Sequence, residues 1–202
     1  GLCMSQSPQG VIYAIPNDKD GRFQQYHITA EADQVRGELV REFATQTQPE
    51  GCVADDQRQT LFIGEEDVAV WALDASADAP TTLHKVVGIG GLVKDDIEGL
   101  AFYQHAEHPY LVISSQGNDS FVVFDGQAPY ALRGAFRVGL NAESGIDGVS
   151  ETDGLEISSD DLGGPWSRGL LVVQDGRKRM PEGNQNYKYV AWQDIAEALN
   201  LD

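Results

Sequence analysis

Three acidic residues stand directly before a glycine at nearly regular intervals along the chain. They are Glu50, Glu98 and Asp153, and each opens a short apolar segment; "GLCMSQS" at Gly1 has the same form without the acid. Carboxylate oxygens are preferred ligands of hard divalent cations, whereas carboxylates crowded together without a cation repel one another. The spacing therefore predicts a cation site, provided that the fold brings these acids together.

A second group of polar residues follows the next apolar segment of each unit. It contains Glu65 or Glu66, then Gln116, then Asp175, while Asp96 and Asp147 lie just upstream of Glu98 and Asp153. Oxygen ligands without histidine or cysteine at suitable spacing favour calcium over zinc. The alternative is that these acids are solvated loop residues that cap turns.

Elements that position these residues recur with a period of about fifty residues. Each unit contains up to four short alternating segments separated by turn residues, which is typical of the blades of a β-propeller. The sequence thus predicts an all-β fold, a partial β-propeller domain spanning 1–202. Its four blade-like repeats are expected at approximately 1–47, 48–95, 96–140 and 147–202. The last unit lacks a fourth strand and ends in a helix-like segment.

The composition restricts the partners. The formal charge is −18, with 14 basic against 32 acidic residues, which argues against binding to a nucleic-acid backbone. No apolar run approaches the length of a membrane span, and the first ten residues lack the basic start and the long apolar centre of a signal peptide. Cys3 and Cys52 are the only cysteines, and we expect both to be buried free thiols.

Several longer motifs resemble one known family, the β-propeller phytases, also called alkaline phytases. The matching stretches run in the family's order along essentially the whole chain: "NDKDGRFQQY" (17–26), "PEGCVADD" (49–56), "LFIGEEDVAVW" (61–71), "DDIEGLAFY" (95–103), "YLVISSQGN" (110–118), "DGVSETDGLEI" (147–157), "GLLVVQDG" (169–176) and "NQNYKYVAW" (184–192).

The resemblance implies a six-bladed propeller that binds several calcium ions and hydrolyses phosphate monoesters of calcium-bound phytate by metal-activated water. The residues that match the family's catalytic calcium ligands are Glu50, Glu66, Asp96, Glu98 and Gln116. Further calcium ligands are matched by Asp147, Asp153 and Asp175. Lys19 matches a basic residue that contacts substrate phosphate. The resemblance also implies an extracellular or periplasmic location.

The chain departs from the family pattern in two respects. Arg177 and Lys178 follow "QDG", where the family normally has an asparagine. The matching region also begins after about two blades of the family's propeller. The absent N-terminal blades, or a second copy of the chain, are therefore expected partners, since open blade edges favour pairing.

Two alternative functions stay open at this point. A calcium-bearing propeller lactonase or esterase would also place a metal near the propeller axis. A calcium-stabilised module without catalytic activity would use the same acids only for stability. Assays with phytate and with a lactone, each with and without calcium, separate these alternatives.

Overall fold

The computed structural model describes residues 1–201, and the chain divides into two compact units, Gly1–Gly88 and a second that begins at Ile89. Both units consist mainly of antiparallel sheets in which each strand pairs with the next along the chain. Strands rich in valine, isoleucine and aromatic residues alternate with turns rich in glycine, asparagine and aspartate, as their conformational preferences require.

The first unit contains two four-stranded sheets. The strands of the first sheet are β1 (Leu2–Gln6), β2 (Ile12–Pro16), β3 (Arg22–Glu31) and β4 (Gln34–Ala44). Those of the second are β5 (Pro49–Asp55), β6 (Thr60–Glu65), β7 (Ala69–Asp74) and β8 (His84–Gly88). Buried side chains from the two sheets form one core, in which Phe23 stacks on Phe43 with ring centroids 5.0 Å apart.

The second unit contains a four-stranded and a three-stranded sheet. The first comprises β9 (Ile97–Tyr103), β10 (Tyr110–Ser115), β11 (Ser120–Asp125) and β12 (Leu132–Phe136). The second comprises β13 (Leu155–Ser158), β14 (Leu170–Asp175) and β15 (Asn186–Ala191), followed by the helix α1 (Trp192–Leu199). Trp192 is fully buried in the core of this unit and stacks on Tyr103 with centroids 4.1 Å apart.

The prediction of an all-β chain with four blade-like repeats is confirmed. Three sheets have four strands, and the fourth has three strands followed by a helix, as the sequence predicts. In each sheet, antiparallel pairing places the first residues of the first strand beside the last residues of the second strand. We call this part of a sheet its acidic edge. Its register is marked by the pairs Leu2 with Pro16, Pro49 with Glu65, and Ile97 with Ser115.

Among residues 1–201, no helix combines the length and the apolar character that crossing a membrane would need.

The prediction of two free thiols is wrong, because Cys3 and Cys52 form a disulfide bond. Cys3 lies on β1 and Cys52 on β5, the first strands of the two sheets, and their Cα atoms are 5.9 Å apart. Their separation of 49 positions in the sequence hides this proximity, which arises because equivalent strands of successive repeats pack side by side.

The glycine that opens the repeated segment has a steric reason in two of the repeats. A Cβ atom on Gly99 would lie 2.7 Å from the backbone oxygen of Asp153 and 2.4 Å from a methyl carbon of Leu155. A Cβ atom on Gly1 would similarly lie 2.9 Å from the backbone oxygen of Glu50. In both units the glycine therefore lets the first strand of one sheet approach the acid-bearing segment of the next.

Replacing Gly99 with alanine is expected to lower the free energy of unfolding by about 1–3 kcal/mol, since overpacking a close contact costs that much. Urea denaturation measures the change. Gly154→Ala is the matched control, because Gly154 holds the same position in the last repeat and nothing lies within 4 Å of the place that its Cβ atom would take. Equal destabilisation of both variants would contradict the steric explanation.

Candidate functional site

Two of the predicted calcium ligands meet at the acidic edge of the second sheet. Glu50 lies where the register between β5 and β6 shifts, and Glu66 directly follows β6. Gln48 connects the two residues: its side-chain amide donates to Glu50 Oε1, and its backbone oxygen accepts from the N–H of Glu66 at 3.0 Å. Each glutamate offers a carboxylate oxygen within 4.8 Å of the other, and both residues are half-buried.

Close carboxylates of this kind favour a cation between them. At an effective dielectric constant of about 20, two unit charges at this distance repel by about 3 kcal/mol. A divalent cation converts that repulsion into attraction, and an all-oxygen donor set suits calcium. The donor chemistry of Glu50 and Glu66 therefore fits the metal that the resemblance implies.

Glu65, the neighbour of Glu66, is structural. It is 1% exposed, and its Oε1 accepts from the backbone N–H groups of Gln46 and Thr47 at 2.9 and 2.7 Å and from the Thr47 hydroxyl at 2.8 Å. Its Oε2 accepts from Trp71 Nε1 at 2.7 Å. Both carboxylate oxygens of Glu65 are thus engaged inside the protein, and Glu66 is the residue positioned beside Glu50.

Lys19 is exposed in the turn between β2 and β3. Asp18 shapes this turn by accepting from the backbone N–H groups of Asp20 and Arg22 at 3.1 and 3.0 Å. Asn17, at the start of the turn, donates from Nδ2 to the backbone oxygen of Pro49 at 3.2 Å. The turn that carries Lys19 is therefore tied to the segment that carries Glu50.

In the second unit, Asp96, Glu98 and Gln116 share one acidic edge. Asp96 immediately precedes β9 with φ of 57°, Glu98 is half-buried on β9, and Gln116 follows β10. The backbone N–H of Gln116 donates to the backbone oxygen of Asp96 at 3.0 Å. This bond fixes the end of the second strand against the start of the first.

Asp153, which precedes β13 of the next sheet, joins this group through its side chain. Its Oδ1 accepts from Gln116 Nε2 at 2.6 Å. Gln174 also holds it, donating from Nε2 to Asp153 Oδ2 at 3.3 Å and accepting the Asp153 N–H at 2.7 Å. The repeat therefore brings Gln116 and Asp153 into contact although they are 37 positions apart in the sequence.

Gln174 is a residue that sequence reasoning missed. It is 9% exposed near the end of β14, one residue before the acid that the motif singles out. Its signal in the sequence is a polar residue at the end of an otherwise apolar strand segment, "LLVVQD". Its hydrogen bonds orient Asp153, so it acts as a positioning residue.

Asp147 and Asp175 meet at a lysine that the sequence reasoning also missed. Lys188 Nζ lies 3.0 Å from Asp147 Oδ1 and 2.6 Å from Asp175 Oδ2, and all three residues are buried. The pKa of Asp147 is lowered to about 2. The largest cause is the hydrogen bond from the Arg179 N–H, which outweighs the opposing effect of burial, and the hydrogen bond from Lys188 lowers the pKa further. Burial alone would lower the pKa of Lys188, but its hydrogen bonds to Asp175 and Asp147 outweigh burial and raise it.

The alternation of exposed and buried side chains along β15 indicates that Lys188 faces inward. In "NYKYVA" the tyrosines Tyr187 and Tyr189 are 68% and 65% exposed, whereas Lys188 between them is 7% exposed. A lysine on the inward face of a strand needs an acidic partner, since an unpaired buried charge is costly. Position along the strand therefore indicates a buried ion pair, but it does not identify the partner.

Two solved structures resemble the fold of this chain. The hydrazine synthase of Kuenenia stuttgartiensis matches 95% of this chain and 46% of its own with a TM-score of 0.60 and 16% identity. The structure of U3-55K matches 92% of this chain and 50% of its own with a TM-score of 0.53 and 15% identity. At this level of identity, the likeness concerns the fold alone.

A curated relative matches at higher identity. The 3-phytase of Bacillus subtilis (strain 168) is 37% identical over 196 residues, which cover 94% of this chain and 50% of the relative. The chain thus spans about half the length of that relative. A family model described as Phytase matches residues 1–202, and with the ordered motifs and the acidic edges described above, the chain belongs to the phytase family.

Proposed function

We propose that this chain forms part of a calcium-dependent phytase, which releases phosphate from calcium-bound phytate or from other phosphate monoesters. Family membership and the 3-phytase relative support the reaction class. The observation that carries the proposal is the approach of the Glu50 and Glu66 carboxylates to within 4.8 Å, because this pair offers a divalent cation two oxygen ligands.

The calcium ligands that we propose lie at the acidic edges of three sheets. Glu50 and Glu66 are the proposed ligands in the first unit, and Glu98 is a proposed ligand in the second unit because it holds the position of Glu50 in the next repeat. Asp96 and Gln116 are proposed to bind beside Glu98. Asp153 joins them through its hydrogen bond with Gln116.

The chain's own residues position the reactants. Gln48 and Gln174 hold the carboxylates of Glu50 and Asp153 in place through hydrogen bonds, which limits the reorganisation needed on substrate binding. Lys19 is proposed to bind a phosphate group through its ammonium. When bound, calcium supplies the positive charge that polarises a phosphate oxygen and activates water for attack at phosphorus.

Calcium is also expected to overcome the charge of the chain. Phytate carries many negative charges and the formal charge of the chain is −18, so long-range repulsion opposes their encounter. Calcium on the protein and on the substrate reduces this repulsion. We therefore expect phosphate release to require free calcium.

The proposal is tested by measuring phosphate release from phytate in calcium and in a chelator, with a lactone as the comparison substrate. Thermal melting is followed in the same samples, where calcium at one hundred times its Kd should add about 2.7 kcal/mol of stability. Lactone hydrolysis without phosphate release would contradict a phytase. Calcium-dependent melting without either reaction would favour the non-catalytic module, and melting unaffected by calcium would contradict the metal site.

We also propose an extracellular or periplasmic location. The Cys3–Cys52 disulfide supports it, because disulfide bonds persist mainly in oxidising compartments. Cell fractionation followed by detection of the chain tests the location, and recovery from the cytoplasm with both thiols reduced would contradict it.

A further inference from the structure

A buried lysine occupies the place between Asp147 and Asp175 where a metal would have to bind. We propose that the Lys188 ammonium is the resident cation of this site, so that Asp147 and Asp175 do not form a calcium site in this chain. The two carboxylates then contribute a metal-independent anchor for the last sheet, separate from the calcium ligands proposed above.

The ammonium of Lys188 has a full set of partners. Its Nζ lies 3.0 Å from Asp147 Oδ1, 2.6 Å from Asp175 Oδ2 and 2.8 Å from Asn186 Oδ1. A protonated lysine has three N–H donors, so these three oxygens satisfy all of them. Because Lys188 is 7% exposed, water contributes little to this arrangement and the side chain is held by the protein itself.

Backbone donors occupy the other oxygen of Asp147. Its Oδ2 accepts from the N–H of Arg179 and, at 3.2 Å, from the N–H of Met180. Calcium requires six to eight oxygen ligands at about 2.3–2.6 Å, and an N–H group directed at a carboxylate oxygen occupies the side from which a cation would approach. Asp147 therefore presents both of its oxygens to hydrogen-bond donors.

Asp175 shows the same pattern. Its Oδ1 accepts from the N–H groups of Ser150 and Arg177, each at 3.3 Å, and its Oδ2 accepts from Lys188. Asp175 is fully buried. Its donors are backbone groups and a side-chain ammonium, none of which can serve as a metal ligand while protonated. The donor set around this carboxylate suits an anion and does not suit calcium.

The segment after Asp175 adds more positive charge. Arg177, Lys178 and Arg179 are consecutive, and the Arg177 guanidinium pairs with Glu151 at 2.6 Å. Positive side chains in this segment oppose the approach of a divalent cation. They therefore support the hydrogen-bonded arrangement of Asp147 and Asp175 over metal binding.

This arrangement joins three separate parts of the second unit. Asp147 belongs to the connection before β13, Asp175 is the last residue of β14, and Lys188 lies on β15. Since Asp175 also accepts from the N–H of Arg177, and Asp147 from the N–H groups of Arg179 and Met180, the anchor fixes the loop between β14 and β15 without a metal.

Amine labelling tests the proposal on the unaltered chain. Lysines are acetylated with a limited amount of reagent in calcium and in a chelator, and the modification at each lysine is measured by mass spectrometry, with exposed Lys85 as the reference. We expect Lys188 to be protected at least tenfold relative to Lys85, equally in both conditions. Labelling of Lys188 that increases with calcium would show that the ion displaces the ammonium and would overturn the proposal.

Calcium stoichiometry gives an independent test. Asp147→Asn is expected to bind the same number of calcium ions as the unaltered chain and to melt at a lower temperature by the same amount in calcium and in chelator. Asp160→Asn, at an exposed position, controls for the loss of a charge. Loss of one bound calcium in Asp147→Asn, or a destabilisation seen only in calcium, would overturn the proposal. If this variant does not fold, the labelling experiment decides.

Discussion

Glu66→Gln is expected to reduce kcat/KM for phosphate release from phytate by about 10²- to 10³-fold, the usual loss when one preorganised electrostatic contact is removed. The amide keeps the size of the side chain but loses the charge that, with Glu50 within 4.8 Å, attracts a divalent cation. Calcium titration should show weaker binding in the same variant. Initial rates at several calcium concentrations then separate lost metal affinity from lost catalysis.

Glu65→Gln is the matched control, because the same chemical change falls on the adjacent residue. Glu65 accepts from N–H and O–H donors at both oxygens, so the NH₂ group of a glutamine would face a donor such as Trp71 Nε1. We expect a loss of about 1–3 kcal/mol in the free energy of unfolding, the cost of leaving a buried hydrogen-bonding group unsatisfied. Calcium affinity should stay close to that of the unaltered chain. Retained activity in Glu66→Gln, with activity lost in a folded Glu65→Gln, would contradict the assignment.

Replacing both cysteines with serine, in the variant Cys3→Ser/Cys52→Ser, is expected to lower the free energy of unfolding by about 2–4 kcal/mol. The disulfide closes a loop between residues 49 positions apart. For a loop of that length, the chain-entropy model gives about 4 kcal/mol at 25 °C as its contribution. Urea denaturation in the presence of a chelator measures this loss without the contribution of calcium binding.

Reduction of the unaltered chain provides the control for the cysteine variant. Treatment with a reducing agent should shift the urea midpoint in the same direction as the double serine substitution, with a similar slope of free energy against urea. The serine variant itself should not respond to the reducing agent. A midpoint that is unchanged by reduction, together with two titratable thiols before treatment, would contradict the disulfide.

Several features follow from the sequence because they depend on local patterns. The alternation of apolar residues and the turn residues between them predict four sheets of successive strands. The repeated acid and glycine predict that Glu50, Glu98 and Asp153 lie at the start of the first strand in three of the sheets. These predictions succeed because strand alternation and turn chemistry act over a few residues, and because a repeat carries the same position from one sheet to the next.

Other features depend on which side chains meet after the sheets pack. The sequence does not distinguish Glu65 from Glu66, because β6 is buried along almost its full length and shows no clear alternation. A register shift lies between Pro49 and Cys52, which alters the direction of side chains around Glu50.

The sequence by itself thus determined the repeated strands, the acidic edges and the resemblance to a phytase. Only the tertiary structure decided that Cys3 pairs with Cys52, that Glu65 is a hydrogen-bonded support, and that Lys188 lies between Asp147 and Asp175. The physical reason is that these contacts join residues far apart in sequence, and each depends on side-chain direction and packing distance between different segments, which periodicity along one strand does not encode.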